Sequence, residues 1–360
     1  MIYYLDHIHH EQYMHRCLEL AEKGRGFVAP NPMVGAVLVY QNRIIGEGWH
    51  QRYGHAHAEV NCIESVSEDN RQYISQSTLF VSLEPCAHFG KTPPCAKLIV
   101  ENKIPKVVIA SVDPNPLVAG KGIQILVDNG IEVICNVCDE EQRNLNVRFY
   151  TFHILKRPYV IIKWAQSQDG FIGKVNQRIK ISEPKTDVLV HQWRAEEQAI
   201  LVGTRTVVID NPQLNARLYT SIQNPIRIAL DKNLKIPINS NLYSDSQLTY
   251  ILNSLDEKKV SANLHFIRLD DFTPEKIADK LYQLCIQSLI IEGGAAVLNE
   301  FIRTNLWDEA RVIQSEISLE EGIPSPILDN NLELQKQLKN GKDTISFYKN
   351  PLQKNHLEIK

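Results

Sequence analysis

The sequence lacks the features that mark a membrane or secreted protein. It has no apolar run of the roughly 18 residues that span a bilayer. Residues 1–12 are polar and rich in histidine, without the apolar segment of a secretion signal. The sequence also has no excess of basic charge. Its formal net charge is −3, which argues against a nucleic-acid-binding protein. We therefore expect a soluble, cytoplasmic protein with neither a membrane nor a nucleic-acid partner.

Cysteine is also scarce, and it does not form a disulfide pattern. The 360 residues, enough for two domains, contain seven cysteines, an odd number. Two of them belong to a candidate metal site, so we expect no disulfide framework. The pair Cys135 and Cys138 lacks the second pair of a metal-binding motif, and we interpret both as packing or surface thiols. His7, His9 and His10 are interpreted as a solvated terminus, able to bind stray metal without function.

What the chain does contain is a set of metal-ligand residues between Gly54 and Cys95. His57, Cys86 and Cys95 can hold Zn²⁺ with a fourth position open to water, and Glu59 can move the protons of that water. His-x-Glu followed by Pro-Cys and a second Cys is the signature of zinc deaminases, although here the second Cys follows after nine residues instead of three. A structural zinc is the alternative, but such sites usually use four protein ligands.

The first half of the chain alternates between helical and strand patterns. This order predicts a three-layer α/β domain over residues 1–150. Predicted helices cover 13–22, 57–66, 95–100, 121–128 and 140–155, and predicted strands cover 34–39, 44–49, 78–83, 106–112 and 131–135.

The second half, residues 157–360, follows a short linker at 156–158 and predicts a doubly wound, parallel-rich sheet. Its Glu292-Gly293-Gly294 segment joins a strand to a helix, where backbone amides can approach an anion, although a plain tight turn is an equal alternative. Predicted strands cover 159–164, 199–202, 226–230, 248–252, 264–267, 288–291 and 344–348, predicted helices cover 186–196 and 297–303, and a polar loop covers 203–206.

The motifs of the first half closely resemble the riboflavin-biosynthesis pyrimidine deaminases. They are Pro30 to Gly35, Gly48-Trp49-His50, His55 to Glu59, Glu84 to Cys95 and Asp113 to Pro116, and the insert from His88 to Pro94 resembles that family's own loop. The resemblance implies a cytidine-deaminase-like fold, zinc held by His57, Cys86 and Cys95, and Glu59 as the catalytic proton shuttle. It further implies that the pocket for a ribosylaminopyrimidine 5′-phosphate is lined by Asn31, His50, His88, Lys91, Asp113 and Asn115.

The second half resembles the reductase part of bifunctional riboflavin-biosynthesis proteins. The matching segments are 157–160, 167–170, 194–196, 203–206, 210–214 and 292–294, with Lys163 and Arg217. The resemblance implies a dihydrofolate-reductase-like fold that uses NADPH to reduce a ribosyl group to ribityl. It implies NADPH contacts at Ala165, Lys180, Thr206, Asp210, Gly293, Gly294 and Ala295, and substrate contacts at Lys163, Arg178, Arg194, Leu214, Arg217 and Glu292. Lys180 and Arg178 depart from the family pattern.

The two resemblances together predict a bifunctional enzyme of riboflavin synthesis. It deaminates 2,5-diamino-6-(5-phosphoribosylamino)pyrimidin-4(3H)-one to 5-amino-6-(5-phosphoribosylamino)uracil and then reduces the ribosyl group with NADPH. We expect a homo-oligomer whose partner is a phosphorylated small molecule. The alternatives are a zinc-dependent nucleic-acid base deaminase with a C-terminal binding module, and a noncatalytic protein stapled by four-coordinate zinc.

Overall fold

A computed structural model describes residues 2–87, 93–116, 118–220, 223–244, 246–329 and 332–354, without the side chains of 2–9 and 353–354. The chain divides into two compact units, which meet between Ile154 and Leu155. In the part of the chain that the structure describes, no helix is long and apolar enough to cross a membrane.

The first unit is one five-stranded sheet with helices on both faces. Its strands are β1 (Gly35–Tyr40), β2 (Arg43–Trp49), β3 (Thr78–Leu83), β4 (Lys106–Ser111) and β5 (Glu132–Ile134), in the spatial order β2-β1-β3-β4-β5. Its helices are α1 (Ile2–Glu22), α2 (Ala58–Glu64), α3 (Cys95–Glu101), α4 (Lys121–Asp128), α5 (Asp139–Leu145) and α6 (Val147–Leu155), and a 3₁₀ helix covers Glu68–Gln76.

The two faces of this sheet carry separate cores because strand side chains alternate in direction. Val37 and Phe80 point to the face covered by Met14 and Leu20 of α1. Leu38 and its neighbours in β3 and β4 point to the opposite face, under α2, α3 and α4. The predicted three-layer α/β arrangement is confirmed.

Strand directions gather the candidate site at one edge of the sheet. β1 is antiparallel to both β2 and β3, and β3 is parallel to β4, so β2, β3 and β4 all end at the same edge. The residues that follow these three strands within a few positions are His50, Cys86 and Asp113. The topology therefore brings together three segments that are far apart in the sequence.

The second unit contains a ten-stranded sheet in the spatial order β11-β12-β10-β9-β8-β13-β6-β14-β17-β16, and a two-stranded ribbon of β7 and β15. The seven central strands from β12 to β14 are parallel to one another. The outer strands β11, β17 and β16 each pair antiparallel with the neighbouring strand. The strands are β6 (Tyr159–Gln166), β7 (Phe171–Gly173), β8 (Ala199–Gly203), β9 (Ile226–Leu230), β10 (Thr249–Asn253), β11 (Lys258–Lys259), β12 (Leu264–Arg268), β13 (Ser288–Glu292), β14 (Glu309–Gln314), β15 (Ile323–Pro324), β16 (Leu334–Asn340) and β17 (Asp343–Lys349). The helices are α7 (Pro184–Glu196), α8 (Thr204–Asp210), α9 (Pro274–Gln283), α10 (Ala295–Arg303) and α11 (Pro351–Lys354), and a short 3₁₀ helix covers Asn241–Tyr243.

Several predicted boundaries were wrong for identifiable reasons. The helix predicted over 140–155 is two helices, because Asn146 between them bonds the backbone N–H and C=O of Met33 with its side chain. The polar loop predicted at 203–206 is the start of α8, where the Thr204 hydroxyl bonds the carbonyl oxygen of Leu230. The predicted helix over 13–22 begins already at Ile2. Strand β16 was missed because its residues are mostly exposed and polar, so they carry no apolar alternation.

Candidate functional site

The three predicted metal ligands come together in the first unit. His57 directly precedes α2, Cys86 follows β3, and Cys95 is the first residue of α3. The Nδ1 atom of His57 lies 3.5 Å from the Cys86 sulfur and 3.3 Å from the Cys95 sulfur. The backbone N–H of Cys95 also donates to the Cys86 sulfur, over 3.3 Å. One nitrogen and two sulfurs at these separations form a ready cluster for a tetrahedral ion.

The two thiols of this cluster differ in acidity. The Cys95 thiol donates a hydrogen bond to Cys86 and, together with His57, lowers the pKa of Cys86 to about 4 despite burial. The same bond, reinforced by burial, raises the pKa of Cys95 well above its ordinary value. The surroundings thus favour the thiolate form at Cys86 and the protonated form at Cys95. A thiolate, an acidifiable second thiol and an imidazole are the ligand types that Zn²⁺ prefers, so the residues present fit zinc.

Glu59 lies in the first turn of α2, beside the cluster. Its side chain is buried, with the residue 3% exposed. Burial, followed by the negative charge of Cys86, raises the pKa of the Glu59 carboxyl to about 7. A carboxyl group with a pKa near neutrality can both accept and return a proton at physiological pH.

A cleft of about 350 Å³ opens on this cluster. His57, Glu59 and Cys86 line it, as do four of the six residues predicted to bind the deaminase substrate: Asn31, His50, Asp113 and Asn115. The other two, His88 and Lys91, lie outside the described residues.

Asn31 and His50 form a fixed polar pair in this cleft. Nδ1 of His50 lies 3.0 Å from the carbonyl oxygen of Ala56, which can only accept, so Nδ1 carries the proton. Its Nε2 then accepts from the Asn31 amide, over 3.1 Å. Burial lowers the pKa of His50, which keeps this ring neutral. The pair therefore presents the remaining groups of the Asn31 amide in one orientation.

Asp113 supplies a second group with a pKa near neutrality. Burial raises the pKa of its carboxyl to about 7, even though its Oδ1 accepts the backbone N–H of Asn115 over 2.7 Å. The charges of Glu84 and Cys86 add to the same effect. Asp113 can thus hydrogen-bond a polar ring edge as donor or acceptor.

Glu84 organises this edge of the sheet, a role that the sequence motif did not reveal. Its carboxylate is 4% exposed and accepts four backbone N–H groups. Oε2 accepts from Asp113 over 3.2 Å and from Gly120 over 2.9 Å, and Oε1 accepts from Gly122 over 2.9 Å and from Ile123 over 3.3 Å. Glu84 thereby fixes the start of α4 to the segment that leads into Cys86 and to the segment that carries Asp113.

The cleft is also lined by residues that were not predicted as site residues, among them Tyr53, His55, Val118 and Phe149. His55 lies within a quoted motif and Tyr53 between two of them, and their aromatic rings were a signal that could have been used. Val118 and Phe149 gave none, since a single apolar residue in a loop or helix is most often core. All four residues form part of the wall of the cleft.

In the second unit, three predicted substrate residues form a buried ion cluster. Arg194 grips Glu292 with two bonds, Nε to Oε1 and Nη2 to Oε2, both 2.7 Å. Lys163 Nζ lies 3.5 Å from Glu292 Oε2, because the two residues are register partners on the adjacent strands β6 and β13. Burial opposes ionisation of Glu292, but Arg194 and Lys163 outweigh it and bring its pKa to about 2. Burial lowers the pKa of Lys163.

The predicted cofactor residues Gly293, Gly294 and Thr206 also meet. Both glycines have left-handed backbones, with φ 77° and 76°, and a Cβ on Gly294 would lie 3.2 Å from the Thr206 hydroxyl oxygen. Ala295 begins the nine-residue helix α10 directly after them. Ala165 lies on β6 two residues after Lys163, hence on the same face of the sheet. These positions place a helix N-terminus and a hydroxyl beside the Lys163 cluster.

Asp210, Arg178 and Lys180 have separate surroundings. Asp210 ends α8; burial raises its pKa, and the charge of Arg178 acts against that rise, so Arg178 lies within electrostatic range of Asp210. Lys180 instead forms an ion pair with Asp187 at 2.7 Å, with its side chain 59% exposed. The two departures from the family pattern thus have acidic partners of their own.

Leu214 and Arg217 lie on the segment after α8. The Leu214 side chain is buried within the protein, so what this residue offers a ligand is its backbone, which is left-handed at φ 51°. Arg217 bonds the Asn215 side chain over 2.8 Å. Sequence reasoning missed His191, which lies one helical turn before Arg194. The pKa of His191 is lowered to about 4 by burial and then by Arg194 and Arg217. The spacing of three between His191 and Arg194 was the available signal.

Comparison with known proteins assigns both halves of the chain. Residues 7–111 match the family described as cytidine and deoxycytidylate deaminase zinc-binding region. Residues 158–322 match the RibD C-terminal domain.

Relatives that match nearly the whole chain are riboflavin biosynthesis proteins. The chain is 36% identical over 352 residues to riboflavin biosynthesis protein RibD of Aquifex aeolicus, covering 94% of this chain and 98% of that protein. A crystal structure of a diaminohydroxyphosphoribosylaminopyrimidine deaminase/5-amino-6-(5-phosphoribosylamino)uracil reductase from Thermotoga maritima superposes with a TM-score of 0.86 at 34% identity, covering 96% of this chain and 99% of that one. RibD of Acinetobacter baumannii superposes with a TM-score of 0.87 at 29% identity, covering 95% and 99%.

Proposed function

The chain belongs to the RibD family of riboflavin biosynthesis proteins, and on that premise we propose the chemistry of its two units. It is a bifunctional enzyme with a deaminase domain and a reductase domain. The proposed deaminase, residues 1–150, converts 2,5-diamino-6-(5-phosphoribosylamino)pyrimidin-4(3H)-one to 5-amino-6-(5-phosphoribosylamino)uracil and ammonia. The proposed reductase, residues 157–360, then reduces the ribosyl group of that product to ribityl with NADPH. The meeting of three metal ligands with the buried Glu59 is the observation that carries the proposal.

In the deaminase, His57, Cys86 and Cys95 would hold Zn²⁺, which would supply an acidified water for attack on the ring carbon bearing the amino group. Glu59 takes a proton from that water and gives it to the departing ammonia, a task that suits its pKa of about 7. The neutral pair of Asn31 and His50 and the Asp113 carboxyl orient the polar edge of the pyrimidine.

In the reductase, NADPH would supply a hydride to C1′ of the ribosyl group. The bond from C1′ to the ring oxygen breaks, and that oxygen takes a proton. Lys163 is placed to deliver this proton, because burial lowers its pKa and Glu292 holds its ammonium group. Gly293, Gly294 and Thr206 would hold the cofactor, since open glycine backbones at the start of a helix suit a pyrophosphate.

Glu59→Gln tests the proposal in the zinc-loaded full chain. The variant should lose ammonia release by at least 100-fold, because the proton shuttle is gone, while the reduction of separately supplied deaminated substrate keeps its NADPH consumption. Glu64→Gln, an exposed position at the end of the same helix, is the matched control and should keep both activities. Ammonia release by the Glu59 variant at the wild-type rate, or none by zinc-loaded wild type, would refute the deaminase assignment.

A further inference from the structure

A second group of metal-ligand side chains lies in the first unit and shares no residue with the His57 cluster. His15 is on α1, Cys138 directly precedes α5, and Glu141 is in the first turn of α5. Their ligand atoms, a nitrogen, a sulfur and a carboxylate oxygen, all lie within 4.8 Å of one another. Cys138 was predicted to be a packing or surface thiol, as was Cys135. Both thiols pack against buried residues of the first unit, as predicted, and the Cys138 sulfur in addition contacts His15.

The spacing of this second group is that of a metal site. The Cys138 sulfur lies 3.6 Å from Nε2 of His15. Zinc bonds of about 2.3 Å to sulfur and about 2.05 Å to nitrogen, at a tetrahedral angle, set the two atoms about 3.5–3.6 Å apart. The corresponding separations in the His57 cluster are 3.5 and 3.3 Å. The separation between the histidine nitrogen and the cysteine sulfur is therefore similar in the two clusters.

The backbone and the nearby charges favour a cation at this position. Cys138 is left-handed, with φ 62° and ψ 41°, a conformation uncommon for residues other than glycine, asparagine and aspartate. It does not cap α5 with its side chain, which instead faces His15. Glu11, one turn before His15 on α1, adds its charge to that of Glu141 around the thiol. A bound cation compensates this negative charge and ionises the thiol.

We propose that His15, Cys138 and Glu141 form a second site for a divalent ion of the zinc type, with water completing its coordination. Imidazole, thiolate and carboxylate together suit Zn²⁺ better than Mg²⁺ or Ca²⁺, which prefer oxygen ligands. The ion joins α1, which covers one face of the sheet, to α5. It takes no part in the deamination, since none of its ligands lines the cleft.

Counting bound zinc in the full chain tests this second site. Wild type, titrated with Zn²⁺ against a chromophoric chelator, should bind two equivalents, and Cys138→Ser and His15→Gln should each bind one while retaining deaminase activity. Cys285→Ser, which removes an exposed thiol outside the cluster, is the control and should bind two. Zinc should also slow alkylation of Cys138 by iodoacetamide at least tenfold in wild type, without slowing alkylation of Cys285.

Three results would overturn the proposal. The first is a single equivalent in wild type. The second is an extra equivalent that survives both substitutions, which would place the ion elsewhere, for example on His7, His9 and His10. The third is unchanged alkylation of Cys138 on zinc addition. Should Cys138→Ser not fold, the exposed His15→Gln and the alkylation of wild type decide the question.

Discussion

Glutamine in place of Glu84 removes one acceptor oxygen from the carboxylate that accepts four backbone N–H groups at the edge of the first sheet. Each carboxylate oxygen accepts two of the four. A carboxamide keeps one oxygen, so two buried N–H groups face an NH₂ group whichever way the amide is turned. An unsatisfied buried donor costs about 1–3 kcal/mol, so we expect Glu84→Gln to lower the free energy of unfolding by about 2–6 kcal/mol.

Hydrogen exchange followed by mass spectrometry measures this loss where it arises. Protection should fall at least 30-fold at the two amides that lose their acceptor, either Gly122 and Ile123 or Asp113 and Gly120, since 1.4 kcal/mol corresponds to a factor of ten. Zinc affinity should fall as well, because the segment that leads into Cys86 loses its anchor. Glu101→Gln is the control, since this glutamate is exposed and its ion pair among the described residues is with Lys97 at 3.6 Å, an interaction worth less than about 1 kcal/mol. Unchanged protection in Glu84→Gln would refute the organising role of this carboxylate.

Three further outcomes follow from the charges of the two sites. Zinc binding to the metal-free Cys138→Ser variant, which keeps only the His57 cluster, should release about one to two protons at pH 7, because Cys95 and in part His57 are protonated without metal. Calorimetry in two buffers of different ionisation heat measures this release, and no proton release would contradict it. Burial raises the pKa of Asp113 to about 7, so the folded chain holds this proton more firmly than the unfolded chain does. As the pH rises from about 4 to about 7, wild type should therefore lose on the order of 2–4 kcal/mol of stability relative to Asp113→Asn. Urea unfolding at pH 5 and 8 measures this loss, and a constant difference between the two proteins would count against it. Glu292→Gln should destabilise the second unit by about 3–5 kcal/mol, since it leaves Lys163 and Arg194 as facing buried cations. In a double-mutant cycle, Lys163→Met should restore part of that stability, and strictly additive effects would disprove the coupling.

The sequence predicted those helices and strands whose pattern depends on neighbouring residues, and it missed those that depend on residues distant in the chain. β3 and α4 were predicted at their observed boundaries, since apolar alternation and helical spacing are properties of neighbouring residues. The break between α5 and α6 was not, because it depends on a bond from Asn146 to Met33, more than a hundred residues away. The edge strand β16 exists through its pairing with β17 and carries no pattern of its own.

The candidate sites show the same division. His57, Cys86 and Cys95 were predicted as one set from their motif, and the structure brings them together. The resemblance named Arg194 and Glu292 among several substrate contacts, but the ion pair between them could not be predicted, because it joins α7 to the end of β13. Glu84 was missed for the same reason, since the backbone groups that give it a role belong to segments distant in the chain.

The nine-residue step between Cys86 and Cys95 shows which part of the deaminase is open to change. Cys86 is positioned by the end of a strand and Cys95 by the start of a helix, and their sulfurs keep contact distances to His57 despite the long interval. The metal therefore sets no fixed length for the segment that joins them. We therefore expect a change in the length of this segment to leave the positions of the two sulfurs, and with them the ion, unchanged.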